Sequence, residues 1–179
     1  MVLKVWAISK IALLNGITIV CIIFFTCTQG TAENIDYLTK KVNKNPRSVV
    51  AHNNLGLAYS NIGKYNEAII EYKKALEIDP NRALVFNNIG SAYHQMGLYS
   101  KAINEYENGL KLSPTSHKIL NNLGISLITI NKPEEALKVL KKALSNKPNS
   151  SQIHNNLGVA YLKLKKYNNA IKEFEEEVK

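Results

Sequence analysis

Two neighbouring asparagines return four times, at Asn53-Asn54, Asn87-Asn88, Asn121-Asn122 and Asn155-Asn156, each pair 34 residues after the last. A carboxamide offers two N–H donors and a carbonyl acceptor, which complement the C=O and N–H of an extended peptide whatever its side chains. Eight carboxamides at fixed spacing therefore suit recognition of backbone. They equally suit hydrogen bonding of one copy of the repeat to the next.

Other reactive residue types do not gather. His52 and His154 stand three repeats apart at a position that Phe86 and Leu120 fill in the other copies, so they read as packing residues. His94 and His117 have no cysteine or histidine at metal-ligand spacing. Gly63-Lys64-Tyr65 lacks the upstream glycine of a phosphate loop. Pro133-Glu134-Glu135 opens a helix, where acids suit the dipole. The sequence thus offers no catalytic residue, metal site or cofactor site, and the expected role is non-enzymatic.

The elements that position the asparagines follow from the period. The copies align as 49–82, 83–116, 117–150 and 151–179, the last one short. In each, apolar residues fall at helical spacing: Leu55 and Tyr59, Ile89 and Tyr93, Leu123 and Leu127, Leu157 and Tyr161. A break follows at 61–68, 95–102, 129–136 and 163–170. Gly63 and Gly97 suit the left-handed residue that ends a helix, Asn131 can adopt that conformation too, and Pro133 suits the first turn of the next helix. A second helix then runs to Pro80, Pro114 and Pro148, whose rings cannot continue it.

With these residues in place the chain resembles the tetratricopeptide-repeat family. Leu55, Gly56, Tyr59, Gly63, Tyr65, Ala68, Tyr72, Ala75 and Pro80 meet the family pattern, and the other copies follow with departures such as Leu127 for a tyrosine and Gly109 for a small alanine. The resemblance covers 49–179 and implies an all-α, right-handed α-solenoid of helix-turn-helix repeats whose first helices line a concave groove. Upstream, 34–46 places Leu38, Val42 and Pro46 as a second helix would, so 33–48 is expected to form a capping half repeat. At the other end the charged run at 173–179, with Glu177 in place of Ala75, Gly109 and Ala143, reads as a polar cap closing the chain.

The resemblance places both asparagines of each pair along or beside the groove, similar to the asparagine ladder in the repeat region of O-linked N-acetylglucosamine transferases. The candidate groove residues are Asn53, Asn54, Leu57, Asn87, Asn88, Asn121, Asn122, Ile125, Ile128, Asn155, Asn156, Val159 and Leu162. Four side-chain hydrogen bonds at roughly 1 kcal/mol each give only millimolar affinity, so apolar contacts must add to them. Lys118 and Lys163 are the clear charges on this stripe. The basic cluster with which a chaperone-tail subclass clamps a terminal carboxylate is not evident. The expected ligand is an extended, largely uncharged peptide or a partner helix with apolar anchors.

Composition bounds the remainder. The 179-residue chain is 45% hydrophobic and 21% charged, with a net charge of +9. Ile11 to Thr28 carries no charge and follows Lys4 and Lys10, which reads as a signal peptide or a membrane anchor within 1–32. Cleavage before Glu33 and retention as an anchor both stand open, and lipid attachment at Cys27 is disfavoured by its bulky neighbours. The lysines precede the segment and Glu33 and Asp36 follow it, so the repeats are expected on the extracytoplasmic side. Both cysteines, Cys21 and Cys27, lie in this segment, which leaves the repeats without a disulfide. Without 1–32 the chain keeps 21 basic and 14 acidic residues, but only Arg47 and Arg82 are arginines and the lysines are spread over every repeat, so nucleic acid is not the expected partner. The leading expectation is an exported or membrane-anchored scaffold that binds a protein or peptide. The alternatives are a non-catalytic accessory or targeting subunit of a separate enzyme such as a glycosyltransferase, and a homo-oligomeric assembly protein.

Overall fold

The computed structural model describes residues 33–177, and these contain nine helices and no strand. Helix α1 covers 33–44. It is followed by α2 Val49–Asn61, α3 Tyr65–Ile78, α4 Ala83–Gln95, α5 Tyr99–Leu112, α6 His117–Thr129, α7 Pro133–Asn146, α8 Ser151–Lys163 and α9 Tyr167–Glu177. The uncharged stretch 11–28 lies outside the described residues, so the signal or anchor reading finds no test here. Among the described residues no helix is long and apolar enough to cross a membrane.

Each helix pair is joined by a tight left-handed turn. The turning residues are Gly63 (φ 77°), Gly97 (φ 75°), Asn131 (φ 61°) and Lys165 (φ 57°). Directly after each, an amide reaches back over the helix end: Lys64 N–H donates to the Tyr59 carbonyl at 3.0 Å, Leu98 to Tyr93 at 2.9 Å, Lys132 to Leu127 at 2.8 Å and Lys166 to Tyr161 at 3.0 Å. These bonds satisfy carbonyls that the helix leaves open. Glycine adopts this conformation freely and asparagine cheaply, whereas a lysine pays for its Cβ. Lys165 is the turn residue that the sequence pattern did not single out.

Within a pair the two helices approach through a glycine of the first. A Cβ added at Gly56 would fall 2.5 Å from Tyr72 Cε1, at Gly90 2.6 Å from Tyr106 Cε1 and at Gly124 2.5 Å from Leu140 Cγ, and at Gly158 it would strike the Phe174 ring. The large residue of the second helix therefore lies flat on the first-helix backbone. Tyr72, Tyr106 and Leu140 are at most 2% exposed, and burial pushes the Tyr72 hydroxyl up to about 12 against a hydrogen bond from Ser60 that lowers it.

Between pairs, small residues on the second helix admit the next first helix: Ala75 and Ala143 are fully buried, and Gly109 stands equivalent to them, also buried. The core forms two clusters. One spans Ala68 to Ala92, the other Ala102 to Ala170, and the half-buried Tyr93 packs against both. Helices α2, α4, α6 and α8 touch one another in order, while α3, α5, α7 and α9 do not touch the next of their own kind. The stack therefore closes up along the first helices and splays along the second, which puts the first helices on the inner face.

His52 and His154 fill the packing-aromatic slot with a polar knot. His52 Nδ1 meets Glu71 Oε2 at 2.7 Å and Nε2 meets the Pro46 carbonyl at 2.9 Å, while Lys74 Nζ donates to Glu71 Oε1 at 2.7 Å. His154 repeats the arrangement with Glu173 at 2.8 Å and Pro148 at 3.0 Å. In the first repeat this knot fastens the segment after α1 to the stack.

Two substitutions test this account. Gly124→Ala drives a methyl group into Leu140 and is expected to cost about 1–3 kcal/mol. Lys165→Gly relieves the left-handed strain and is expected to stabilise by about 1 kcal/mol. Urea unfolding followed by circular dichroism reads both.

Candidate functional site: the inner groove

The inner face is built from residues that lie three and four apart on α2, α4, α6 and α8. The asparagine pairs fall on it and are joined across repeats. Asn88 Nδ2 donates to Asn53 Oδ1 at 2.9 Å, Asn122 Nδ2 to Asn87 Oδ1 at 2.9 Å and Asn156 Nδ2 to Asn121 Oδ1 at 2.7 Å. The second asparagine of one repeat thus holds the first asparagine of the repeat before it. Asn87 and Asn121 are 9% and 4% exposed, whereas Asn53, Asn88, Asn122 and Asn156 are half-buried. Asn54 has no repeat before it and is exposed.

These bonds leave capacity unused. Asn88, Asn122 and Asn156 each spend one N–H on the neighbouring repeat and keep a carbonyl and another N–H. Asn122 shows where they point, because it lines two adjoining cavities. One, of about 250 Å³, also contains Asn87, Asn121, His117, Lys118, Lys147 and Gln152. The other, of about 170 Å³, is lined by Ser91, His94, Gln95, Tyr106 and Ile125 as well. In the second, His94 Nδ1 hydrogen-bonds the buried Ser126 hydroxyl at 2.8 Å and the ring stacks edge-on to Tyr99 at 5.1 Å. Burial lowers the His94 pKa and favours the neutral ring. The Tyr106 hydroxyl lies 3.4 Å from Ser91 Oγ, and burial raises its pKa.

The apolar candidates separate by exposure. Leu57 is 39% and Leu162 45% exposed, and Ile125 and Val159 are half-buried, so all four reach the groove surface. Ile128, 9% exposed, belongs to the core cluster instead. Sequence reasoning missed Leu84, 58% exposed, although its signal was available: it stands 34 residues after Val50, which is 65% exposed. It also missed Lys147, which comes from the loop before α8 and joins Lys118 only in three dimensions. Lys163, the other charge noted on the stripe, is exposed at the end of α8.

The charges are segregated. All 14 acidic residues lie on α1, α3, α5, α7 and α9 or in the loop at Asp79; none lies on α2, α4, α6 or α8. Among the described residues no group of three or more histidine, cysteine, aspartate or glutamate side chains is placed to hold a metal. The arrangement can hydrogen-bond a backbone, bury apolar side chains shallowly and attract negative charge.

An all-helical stack of regular pairs with an amide-lined inner face defines the class: a helical repeat solenoid. Models of tetratricopeptide repeats match residues 38–70, 83–116, and 61–97 together with 127–165, and the chain belongs to the tetratricopeptide-repeat family. No curated protein sequence matches it. Solved structures do. MamA is 24% identical over 84% of this chain and 89% of its own, with a TM-score of 0.74. PilF of Pseudomonas aeruginosa is 24% identical over 84% of this chain and 69% of its own, with a TM-score of 0.75. YrrB, described as a TPR protein with an unusual peptide-binding site, is 22% identical over 78% of this chain and 72% of its own, with a TM-score of 0.67. These likenesses establish the fold.

The inter-repeat bonds give the asparagines unequal weight. Asn156→Ala strands the buried Asn121 carboxamide and is expected to cost about 1–3 kcal/mol, whereas Asn54→Ala should stay within about 0.5 kcal/mol. Urea midpoints of the two variants check this.

Proposed function

We propose that this chain is a non-enzymatic scaffold that binds an extended segment of a partner protein along its inner groove, on the extracytoplasmic side of a membrane to which 11–28 directs or anchors it. The observation that carries the reading is the half-used asparagine rail. Asn88, Asn122 and Asn156 each secure the repeat behind them, and Asn122 still offers a donor and an acceptor beside two cavities. The fold-level likeness to YrrB, whose description names a peptide-binding site, supports the same reading. Export rests on the lysines before an uncharged stretch and the acids after it.

Hydrogen bonding alone gives weak binding, since each bond nets about 1 kcal/mol. The exposed side chains of Leu57, Leu84 and Leu162 and the half-buried Ile125 and Val159 supply the apolar contribution. Burying one such side chain fully is worth about 1.5–3 kcal/mol, and a shallow groove captures part of that. Micromolar affinity is the scale expected for a single segment.

The test is a peptide-library screen on the chain beside Leu57→Glu with Leu162→Glu. Both residues are exposed, so the fold should persist by circular dichroism. Selected peptides should lose at least tenfold in affinity for the double variant. Equal binding to both proteins would place recognition elsewhere, and the absence of any bound peptide would remove the proposal.

A further inference from the structure

The groove is not uniform along the row of residues at which its first helices begin. At the second position of each first helix stand Val50, Leu84, Lys118 and Gln152. The first two are 65% and 58% exposed, and with Leu57 at 39% they form an apolar stretch over the first two repeats. The third begins the basic cavity, where Lys118 and Lys147 converge with His117 and the Asn121 and Asn122 carboxamides. No ion pair engages either lysine among the described residues, and no acid lines the cavity. The nearest elements on the inner face, α4 and α8, carry none either.

Resting on the peptide-binding reading above, we infer that the groove is directional: it takes a segment with apolar side chains over Val50, Leu57 and Leu84 and a glutamate or aspartate side chain over Lys118 and Lys147. Charge complementarity selects this occupant. A face with two unpaired lysines and no carboxylate repels a basic segment and attracts an acidic one. The exposed Val50, Leu57 and Leu84 exclude a uniformly acidic tail, which would leave them uncovered.

Geometry sets the spacing. Packed helices lie about 8–10 Å apart, and an extended chain advances about 3.3 Å per residue, so one repeat corresponds to about three peptide residues. The fitting pattern is two apolar residues three apart, followed three residues further by the acid at one end. An acid between the two apolar residues would lie over Leu84 and lose both partners.

Capped, labelled peptides with no free terminal carboxylate test this by fluorescence anisotropy on the whole chain. They carry leucine, leucine and glutamate at three-residue spacing in serine, written in both chain directions, together with the version that has glutamate in the middle. One direction of the end-acid peptide should bind at least about fivefold tighter than the middle-acid peptide, and replacing its glutamate by glutamine should weaken it about fivefold. Lys118→Glu with Lys147→Glu should turn the preference toward a peptide with lysine in place of glutamate. Equal binding of end-acid and middle-acid peptides overturns the inference, as does binding that requires a free carboxy terminus. Library peptides that need Leu57 and Leu162 yet ignore the two lysines overturn the inference alone. A chain that binds no peptide overturns both readings.

Discussion

The structure depends on the contact between a first-helix glycine and the large residue sixteen positions later on the second helix. Gly56 receives Tyr72, Gly90 receives Tyr106, Gly124 receives Leu140 and Gly158 receives Phe174. Helix axes can approach this closely only where a side chain is missing, and the interior is too densely packed to absorb an extra methyl group. The contact fixes the angle and depth of every pair. The left-handed turns then need only reverse the chain, and Ala75, Gly109 and Ala143 need only admit the next pair. Identical pairs stacked by identical contacts put equivalent residues on one face, which is how single asparagines become a rail.

Curvature follows from the same contacts. First helices touch one another along the stack and second helices do not, so the inner face brings residues from successive repeats within hydrogen-bond reach while the outer face separates them. The asparagine bonds of 2.7–2.9 Å occur only on the inner side. The acids occupy the splayed helices and the loop at Asp79, where most are exposed, while Glu71 is buried against His52.

Much of this was legible from spacing. The period located the helices and turns, the glycines and Asn131 announced three of the four left-handed residues, and the family pattern pointed to the inner face. What stayed hidden required distance. Lys165 carries no turn signature, because lysine tolerates the left-handed conformation only under the constraint of the pair it closes. His52 and His154 looked like poor aromatics, since their partners Glu71, Glu173 and the proline carbonyls come from other elements. Ile128 shares the groove stripe by helical arithmetic yet turns into the core, because three- and four-residue spacing gives a direction and not a depth. Lys147 belongs to a loop, and no periodicity connects it with Lys118.

The opening choice between a recognition role and a structural role for the asparagines dissolves once the bonds are seen, because a carboxamide has enough valences for both. A serine or threonine at the second position of the pair would offer one donor and would spend it on the neighbouring repeat. An aspartate would accept but not donate, and would bury charge against the Oδ1 it faces. Asparagine alone among short side chains can donate across the repeat boundary and keep a donor and an acceptor for the groove. Gln, with the same head group, has one more bond to order and a longer reach, which would misplace the amide at this separation. The repeated pair is therefore a structural tie with hydrogen-bonding capacity to spare, and at Asn122 that surplus faces the cavities of the inner face.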